Sequence, residues 1–334
     1  MKQLKKIAVA IALVCGTAIA AAQQPLPRQI SSTSSDQRGA SQDGQNSQNG
    51  QNGQNGQNGQ NGRTNAQATV QDGIQLRPMS RYRMLSSSAS VDAQSKQQYL
   101  QLMQQAQSKG ALAPDNNPQL IRLRGIAKRI IPYTARWNPE AANWNWQVNL
   151  LGSREINAFC MPGGRVAFFS GILTTLQLTD DEIAAVMGHE IAHALREHGR
   201  EQMGKSAVTN VGARVGGAIL SSWLGIDPNI TNTVAQYGSH FASLKFSRDD
   251  EREADLIGLD IAARAGYDPR AGVVLWQKMA AQNKGSPPAW MSTHPGGRER
   301  MDQMNSHMDV LLPLYARARG TSVNALPPYR TAMN

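Results

Sequence analysis

Two histidines and a glutamate form the most reactive group of side chains in this sequence. They stand in the order His189-Glu190-Ile191-Ala192-His193. In an α-helix, residues four apart lie about 40° from each other around the axis, so both imidazoles can bind one metal ion at about 2 Å. Glu190 lies beside that face and can accept a proton from water without becoming a ligand. The spacing therefore predicts a site for metal-assisted hydrolysis.

A capping box positions these residues inside a helix. Thr179 is followed three residues later by Glu182, and the apolar positions begin directly afterwards at Ile183. Because this pair satisfies the first backbone N–H groups, a helix is expected to start here. Small residues surround the reactive positions, namely Ala184, Ala185, Gly188, Ala192 and Ala194. We expect a second helix to approach this surface closely and to supply a third ligand.

That second helix is predicted from Ser247 to about Ala265. Ser247 and Asp250 have the spacing of an N-terminal cap, and Gly266 is a natural C-terminal stop. The helix brings two acidic residues, four positions apart, onto one face.

These acidic residues are Glu251 and Asp255. Glu251 is the candidate third metal ligand, and the set of two imidazoles, one carboxylate and one open position is the usual catalytic arrangement of zinc, so we expect one Zn²⁺ per chain. Asp255, one turn later, is placed to accept the free N–H of a liganding histidine and to fix its tautomer. Glu253 shares its side with Asp260 and Arg264 and is expected to face solvent.

Four motifs occur in the order found in the M48 family of zinc metallopeptidases. The first is the segment INAFCMPGGRVA at 156–167, which is similar to the family's NAF–PGG segment, and HExxH at 189–193 follows it. ExxAD at 251–255 comes next. The last is STHP at 292–295 with Arg300, which is similar to the family's THPxxxxR motif. The sequence thus resembles this family over about residues 91–309. Within the family it looks similar to the soluble, single-domain bacterial envelope proteases.

The resemblance adds two catalytic candidates. His294 either stabilises the oxyanion of the tetrahedral intermediate or occupies the open zinc position and keeps the enzyme latent. Arg300 either binds substrate carbonyls or braces Glu251 and Asp255 through charge-assisted hydrogen bonds, and a purely structural role stays open as well. Arg298 is a weaker candidate on spacing.

The first residues are typical of a secretory signal peptide. Lysines at positions 2, 5 and 6 precede an apolar run over 7–19 and small residues near position 22. We therefore expect residues 1–22 to direct export to the periplasm. Lipid anchoring at Cys15 is less favoured, because the residue before it is not small. Removal of the signal peptide leaves Cys160 alone, so no internal disulfide is expected.

The rest of the chain divides by composition. Residues 23–90 are rich in Gln, Asn, Gly and Ser, with a QNG repeat over 48–62. We expect a disordered linker that acts as a spacer, with a binding role for the repeat as the alternative. One metallopeptidase domain is predicted over 91–310, followed by a C-terminal tail over 311–334.

Hydrophobic periodicity within the domain predicts an α+β fold that is mostly helical. Helices are expected over Val91–Lys109 and after Asn117. The period changes to two over 144–150, and a second strand is expected over 166–170. The prediction is a zincin-like domain with a small β-sheet or hairpin next to the HExxH helix, whose edge strand can bind an extended substrate.

An apolar stretch and three histidines outside these motifs are less specific. The apolar, glycine-rich stretch 206–224 is either a helical pair or lid over the cleft, or a contact with a membrane surface, and Arg214 disfavours a spanning helix. His198, His240 and His307 are predicted to be surface or capping residues rather than ligands.

The motifs predict a zinc-dependent endopeptidase, and the family resemblance further implies quality control of cell-envelope proteins. The expected partners are unfolded or misassembled envelope proteins, with possible association to outer-membrane assembly. The alternative is a zinc-stabilised chaperone or assembly factor for outer-membrane proteins, which an intact Glu190 disfavours. The chain has a net charge of +10, and its lysine and arginine residues are scattered along the sequence. It therefore favours anionic surfaces or acidic substrates and not nucleic acid.

Overall fold

The computed structural model describes residues 72–208, 246–282 and 288–332, and for 206–208 it describes the backbone alone. The predicted signal peptide, most of the predicted linker, His240 and nearly all of the stretch 206–224 lie outside the described residues. Among the helices described, none combines the length and the apolar character that a membrane span requires.

Helices make up most of the described chain. In chain order they are α1 (Ser88–Ser108), α2 (Pro118–Ile130), α3 (Ser170–Leu176), α4 (Asp180–Leu195), α5 (His198–Val208), α6 (Arg248–Arg264), α7 (Ala271–Ala281), α8 (Ala289–Thr293), α9 (Arg298–Ser306) and α10 (Met308–Ala318). Short 3₁₀ turns cover Arg81–Leu85, Ile131–Arg136, Pro139–Asn143 and Val323–Ala325. The two helices predicted early in the domain are therefore confirmed as α1 and α2.

Three strands form one small sheet in the order β1-β3-β2. They are β1 (Gln147–Leu151), β2 (Ala158–Met161) and β3 (Arg165–Phe169). β1 runs parallel to β3 and β2 runs antiparallel to it, so that Val148 and Cys160 both lie opposite Val166. The prediction of a mostly helical domain with a small sheet is confirmed. Strand β2 also packs against α4, the helix that carries the HExxH motif.

Both faces of the sheet are covered, which explains why its strands are almost wholly buried. One face packs into the main core with α2 and α4, through Val148, Leu150, Val166 and Phe168. The other face packs against α1 through Phe159, Ala167 and Phe169. On that side Tyr99 donates its hydroxyl hydrogen to the carbonyl of Val166 at 2.7 Å and accepts one from Asn149 at 3.0 Å. The buried amide of Asn149 thereby has a hydrogen-bond partner.

Capping boxes begin both helices that carry the ligand candidates, as predicted. Thr179 Oγ1 accepts the N–H of Glu182 at 3.3 Å, and the Glu182 carboxylate accepts the N–H of Thr179 at 2.9 Å. Ser247 and Asp250 form the same reciprocal pair at 3.2 and 3.0 Å. After α6 the chain turns at Gly266, whose φ is +80°.

Two glycines let α4 and α6 pack backbone against backbone. A Cβ atom on Gly188 would lie 2.5 Å from the carbonyl oxygen of Gly258, and one on Gly258 would lie 2.6 Å from the backbone nitrogen of His189. Such distances leave no room for any side chain at either position. The close packing brings Glu251 and Asp255 of α6 to the histidines of α4, as the small residues predict.

Gly258→Ala is therefore expected to push the two helices apart. Alanine usually stabilises a helix interior by up to about 1 kcal/mol relative to glycine. Here the clash is with backbone and cannot be relieved by a rotamer change, so we expect a net loss of roughly 1–3 kcal/mol in the free energy of unfolding, with weaker metal binding. Urea denaturation and competition with a chelator measure the two effects.

The matched control for this prediction is Gly125→Ala. Gly125 lies exposed within α2, and a Cβ atom there meets nothing within 4 Å. We expect the control to be neutral or stabilising by about 0.5–1 kcal/mol. Equal stabilities for the two variants would contradict the requirement for glycine between α4 and α6.

The packed region extends beyond both predicted domain boundaries. On the N-terminal side, Ile74 is buried in the main core, and its N–H donates to Asp260 at 3.3 Å. On the C-terminal side, α10 buries Leu311 and Leu314. Further on, Thr331 donates a hydrogen bond to the buried Glu182 at 2.6 Å. Isolated anchors of this kind are too sparse to change the average composition on which the predicted boundaries rest.

Candidate metal centre

Four side chains from distant parts of the chain converge on one point. They are His189 and His193 of α4, Glu251 of α6, and His294 directly after α8, and their ligand atoms all lie within 4.8 Å of one another. The two Nε2 atoms of His189 and His193 are 3.2 Å apart, and Nδ1 of His294 is 3.2 Å from Nε2 of His189. All four side chains are buried. The structure thus brings together the three predicted ligands and adds His294 as a fourth donor.

These donors fit a divalent metal ion better than they fit one another. His189 Nδ1 lies 3.0 Å from Asp255 Oδ1, a contact that needs a proton on Nδ1 and leaves only a lone pair on Nε2. In the neutral ring that lone pair faces Nε2 of His193, Nδ1 of His294 and the carboxylate of Glu251, so electron-pair donors of four residues point to one place. Imidazole nitrogens with one carboxylate are the usual donors for zinc. The residues present therefore fit a zinc ion.

The charges around the cluster favour the metal-binding forms of the ligands. Burial, reinforced by the neighbouring imidazoles, lowers the pKa of His193 well below its usual value, so its ring is neutral. Burial alone would raise the pKa of Glu251, but the charges of His294 and Arg300 lower it below its usual value. Neutral imidazole and ionised carboxylate are the forms that bind a metal ion.

Arg300 holds both carboxylates of α6 that face the histidines. Its Nε and Nη2 lie 2.7 and 2.6 Å from the oxygens of Asp255, and its Nη1 lies 2.6 Å from Glu251 Oε2. The guanidinium carbon lies 4.0 Å from the ring centroid of Trp276. Burial would raise the pKa of Asp255, but Arg300 and the hydrogen bond to His189 lower it to about 2. Of the predicted alternatives, this geometry matches the brace.

Glu190 lies next to the cluster but outside the group of ligand atoms. Its Oε1 accepts a hydrogen bond from the indole Nε1 of Trp290 at 2.5 Å and lies 3.6 Å from Nε2 of His294. Trp290 is fully buried, and its backbone N–H donates to the carbonyl of Ile156, just before β2, at 3.2 Å. No sequence signal marks Trp290, because a single tryptophan near a loop is more typical of a core residue.

His294 is directed into the donor cluster. Its Nδ1 lies 3.0 Å from Glu251 Oε1. Burial lowers the pKa of His294, but the charges of Glu251 and Glu190 more than offset this and raise it above its usual value. His294 therefore lies within the donor cluster, between the carboxylates of Glu251 and Glu190.

The prediction that Glu253 faces solvent is wrong. Arg196 donates to its Oε2 at 2.8 Å, Arg77 forms a second ion pair with it, and His198 Nε2 lies 3.5 Å from the same Oε2. Burial would raise the pKa of Glu253, but the neighbouring His198, the hydrogen bond from Arg77 and the charge of Arg196 lower it to about 2. Helical periodicity fails here because the start of α5 and the segment before α1 cover a second face of α6.

The prediction that His198 is a surface residue is also wrong, since it is buried with its Nδ1 2.9 Å from Nδ1 of His193. Five residues along a continuous helix would separate the two side chains by about 140°. Instead α4 ends at Leu195, and Glu197 adopts a φ of +56°, which turns the chain back. His307 caps the C-terminal end of α9, as predicted.

A cleft of about 580 Å³ borders the cluster on the side of His193. Its walls come from the β2–β3 turn, the start of α5 and the segment around α1. They include Met79, Trp144, Gly163, His193 and Arg200. The cleft offers space for a polypeptide segment beside the metal-ligand candidates.

An HExxH helix, a glutamate from a second helix and a glutamate beside the ligand set define the centre of a metal-dependent peptidase. Comparison of sequences makes this assignment specific. Residues 122–307, more than half of the chain, match the profile of Peptidase family M48. The chain belongs to this family, which uses a divalent metal ion.

Similar proteins come from mitochondria and from bacteria. The mitochondrial metalloendopeptidase OMA1 of Arabidopsis thaliana is 35% identical over 156 residues, which cover 47% of this chain and 30% of that protein. The metalloprotease LoiP of Escherichia coli is 28% identical over 254 residues, covering 73% and 94%. The beta-barrel assembly-enhancing protease of Yersinia pestis is 31% identical over 202 residues, covering 54% and 40%. The chain thus spans about a third of the length of the Arabidopsis relative.

Proposed function

We propose that this chain is a zinc-dependent endopeptidase. The observation that carries the proposal is the convergence of His189, His193 and Glu251 on one point, with the carboxylate of Glu190 beside it and outside the ligand set. Family membership supports the metal dependence, and the donor set favours zinc among divalent ions.

The residues of the site have separate tasks in this mechanism. His189, His193 and Glu251 would hold a zinc ion, which when bound would supply a Lewis acid for the peptide carbonyl and lower the pKa of a water molecule towards about 7. Glu190 accepts the proton of the attacking water and returns it to the leaving amine. The indole N–H of Trp290 fixes the Glu190 carboxylate in place. Asp255, itself held by Arg300, keeps His189 in the tautomer that binds metal.

His294 keeps the enzyme latent in the conformation described. Its Nδ1 is one of the four converging donor atoms, so it would compete with a substrate carbonyl for a bound zinc ion. Movement of His294 away from Glu251 would open that position. If His294 instead stabilises the oxyanion, its removal lowers activity, so His294→Ala separates the two roles by the sign of its effect.

The substrate is an extended, unfolded polypeptide segment. Strand β2 lies at the edge of the sheet and packs against α4. The opposite edge, β1, is bridged by Leu112, which pairs with Leu151. Addition of a peptide to β2 would supply backbone hydrogen bonds that do not depend on one sequence. The cleft beside His193 supports the same location.

The physiological task is quality control of misfolded or misassembled cell-envelope proteins, carried out in the periplasm. Two observations support this part: the predicted signal peptide, and the similarity to a relative whose name links that relative to β-barrel assembly. Unfolded or misassembled envelope proteins are the proposed substrates, and an association with outer-membrane assembly is the proposed partnership.

Metal content and proteolysis of the purified mature chain test the proposal together. We expect one zinc ion per chain by mass spectrometry, cleavage of casein that stops when a chelator removes the metal, and recovery when Zn²⁺ is returned. His294→Ala, assayed in parallel, is expected to raise activity. A chain without bound metal, or cleavage that continues after metal removal, would overturn the proposed function.

A further inference from the structure

We propose that His198 is a positioning residue that holds His193 in the tautomer required for metal binding, with Glu253 as its own support. This inference deepens the proposed function and rests on it. It concerns a buried histidine that neither the HExxH motif nor the ligand set includes.

The backbone places His198 against His193 by an uncommon turn. Glu197 has a φ of +56°, a left-handed conformation that is unfavourable for a non-glycine residue and that occurs mainly where the surroundings enforce it. Arg83 forms an ion pair with Glu197 at 2.6 Å. Because of this turn, α5 starts beside the last turn of α4. His198 Nδ1 therefore lies 2.9 Å from His193 Nδ1.

The short contact between two Nδ1 atoms needs one donor and one acceptor. If His198 donated, the proton of His193 would sit on Nε2 and point into the donor cluster, where His193 could not bind metal. His198 Nε2 would then carry a lone pair towards the carboxylates of Glu253 at 3.5 Å and Asp250 at 3.9 Å. The opposite assignment avoids both conflicts. His193 then donates from Nδ1, and His198 presents its Nε2–H to the carboxylates.

The two histidine ligands are thus each supported by a series of side-chain contacts. His189 is held by Asp255, and Asp255 is held by Arg300. On the other side, His193 is held by His198, which faces Glu253, and Glu253 is held by Arg196 at 2.8 Å. Each histidine ligand thus donates its Nδ1–H into a series of contacts that ends in a carboxylate–arginine pair. Hydrogen bonds of this kind fix the orientation of a ligand ring and raise its basicity.

A second contact fixes the plane of the His193 ring. Phe246 stacks on it with the ring centroids 4.0 Å apart and an interplanar angle of 29°. Stacking restrains the ring but does not choose its tautomer, because a flipped ring would pack equally well. The hydrogen bond to His198 is therefore the contact that distinguishes the binding tautomer.

Zinc affinity of His198 variants tests this role without relying on proteolysis. His198→Phe keeps a ring of similar size but removes the acceptor, and we expect it to bind zinc about 10- to 100-fold more weakly in competition with a chelator. His198→Gln offers a carbonyl oxygen to His193 and should retain most of the affinity. His307→Phe is the matched control, because it removes a histidine at the end of α9, and its affinity should equal that of the wild type.

Wild-type affinity in His198→Phe, or an equal loss in His198→Gln, would overturn the proposal. Imidazole nitrogen NMR of the zinc-loaded wild type gives a test that needs no variant. We expect the proton of His193 on Nδ1, and a proton on Nε2 would overturn the proposal. A wild type that holds no zinc would instead be a failure of the proposed function, so the two failures are distinguishable.

Discussion

Replacement of Glu190 by glutamine is expected to lower kcat for peptide hydrolysis by a factor of about 10²–10⁴, the usual contribution of a general base. The amide cannot take a proton from water at neutral pH. It can still accept the hydrogen bond that Trp290 donates at 2.5 Å, so the local packing should survive. Because Glu190 lies outside the donor cluster, the variant should hold as much zinc as the wild type. Casein cleavage and metal analysis on the same sample measure both expectations.

Glu140→Gln is the matched control for this experiment. Glu140 is an exposed carboxylate that lines the cleft, and it takes no part in the donor cluster. The same chemical change there should leave kcat within a few-fold of the wild type. If Glu190→Gln also stays within that range, or loses its zinc, the assignment of Glu190 as general base is wrong.

The same variant separates the endopeptidase from the chaperone alternative. A protein that acts by binding unfolded chains needs the cleft but not the proton transfer. In cells lacking the protein, Glu190→Gln should therefore fail to restore function if cleavage is the task. Restoration by this variant would favour an assembly factor in which the zinc site only stabilises the fold.

Local patterns predict the two helices of the site well because the responsible interactions are local. The capping boxes at Thr179 and Ser247 involve residues three apart, so a sequence contains everything they need. The close approach of α4 and α6 follows from small residues at helical spacing, and it explains why Glu251 and Asp255 reach the histidines.

The parts that could not be predicted depend on contacts between distant segments. Glu253 forms an ion pair with Arg77, which lies 176 residues earlier in the chain. The position of His198 depends on the positive φ of Glu197. Glycine and asparagine are the residues that commonly indicate such a φ in a sequence, and neither stands at this position. The hydrogen bond from Trp290 to Glu190 likewise spans 100 residues. Periodicity describes one helix at a time and cannot show which of its faces a remote segment covers.

Arg300→Leu is expected to destabilise the fold by about 3–5 kcal/mol, the usual cost of removing one partner from a buried ion pair. Asp255 and Glu251 are both buried, at 5% and 0% exposure, and Arg300 is the arginine that reaches both. For a domain of this size the loss corresponds to a decrease in Tm of roughly 6–20 °C. Urea and thermal denaturation of the metal-free protein measure it. Arg300→Lys should recover only part, because an ammonium group cannot form the bidentate pair with Asp255.

The matched control is Arg298→Leu, two residues earlier in α9, where the arginine is exposed. Its removal from the first turn of a helix should change stability by no more than about 0.5 kcal/mol. A double variant then tells whether Arg300 acts through Asp255. Asp255→Asn removes the charge that needs the arginine, so the combined loss should be smaller than the sum of the single losses by about 0.5–3 kcal/mol. Additive losses would mean that Arg300 stabilises the fold through Glu251 and Trp276 instead, and that His189 is oriented without its help.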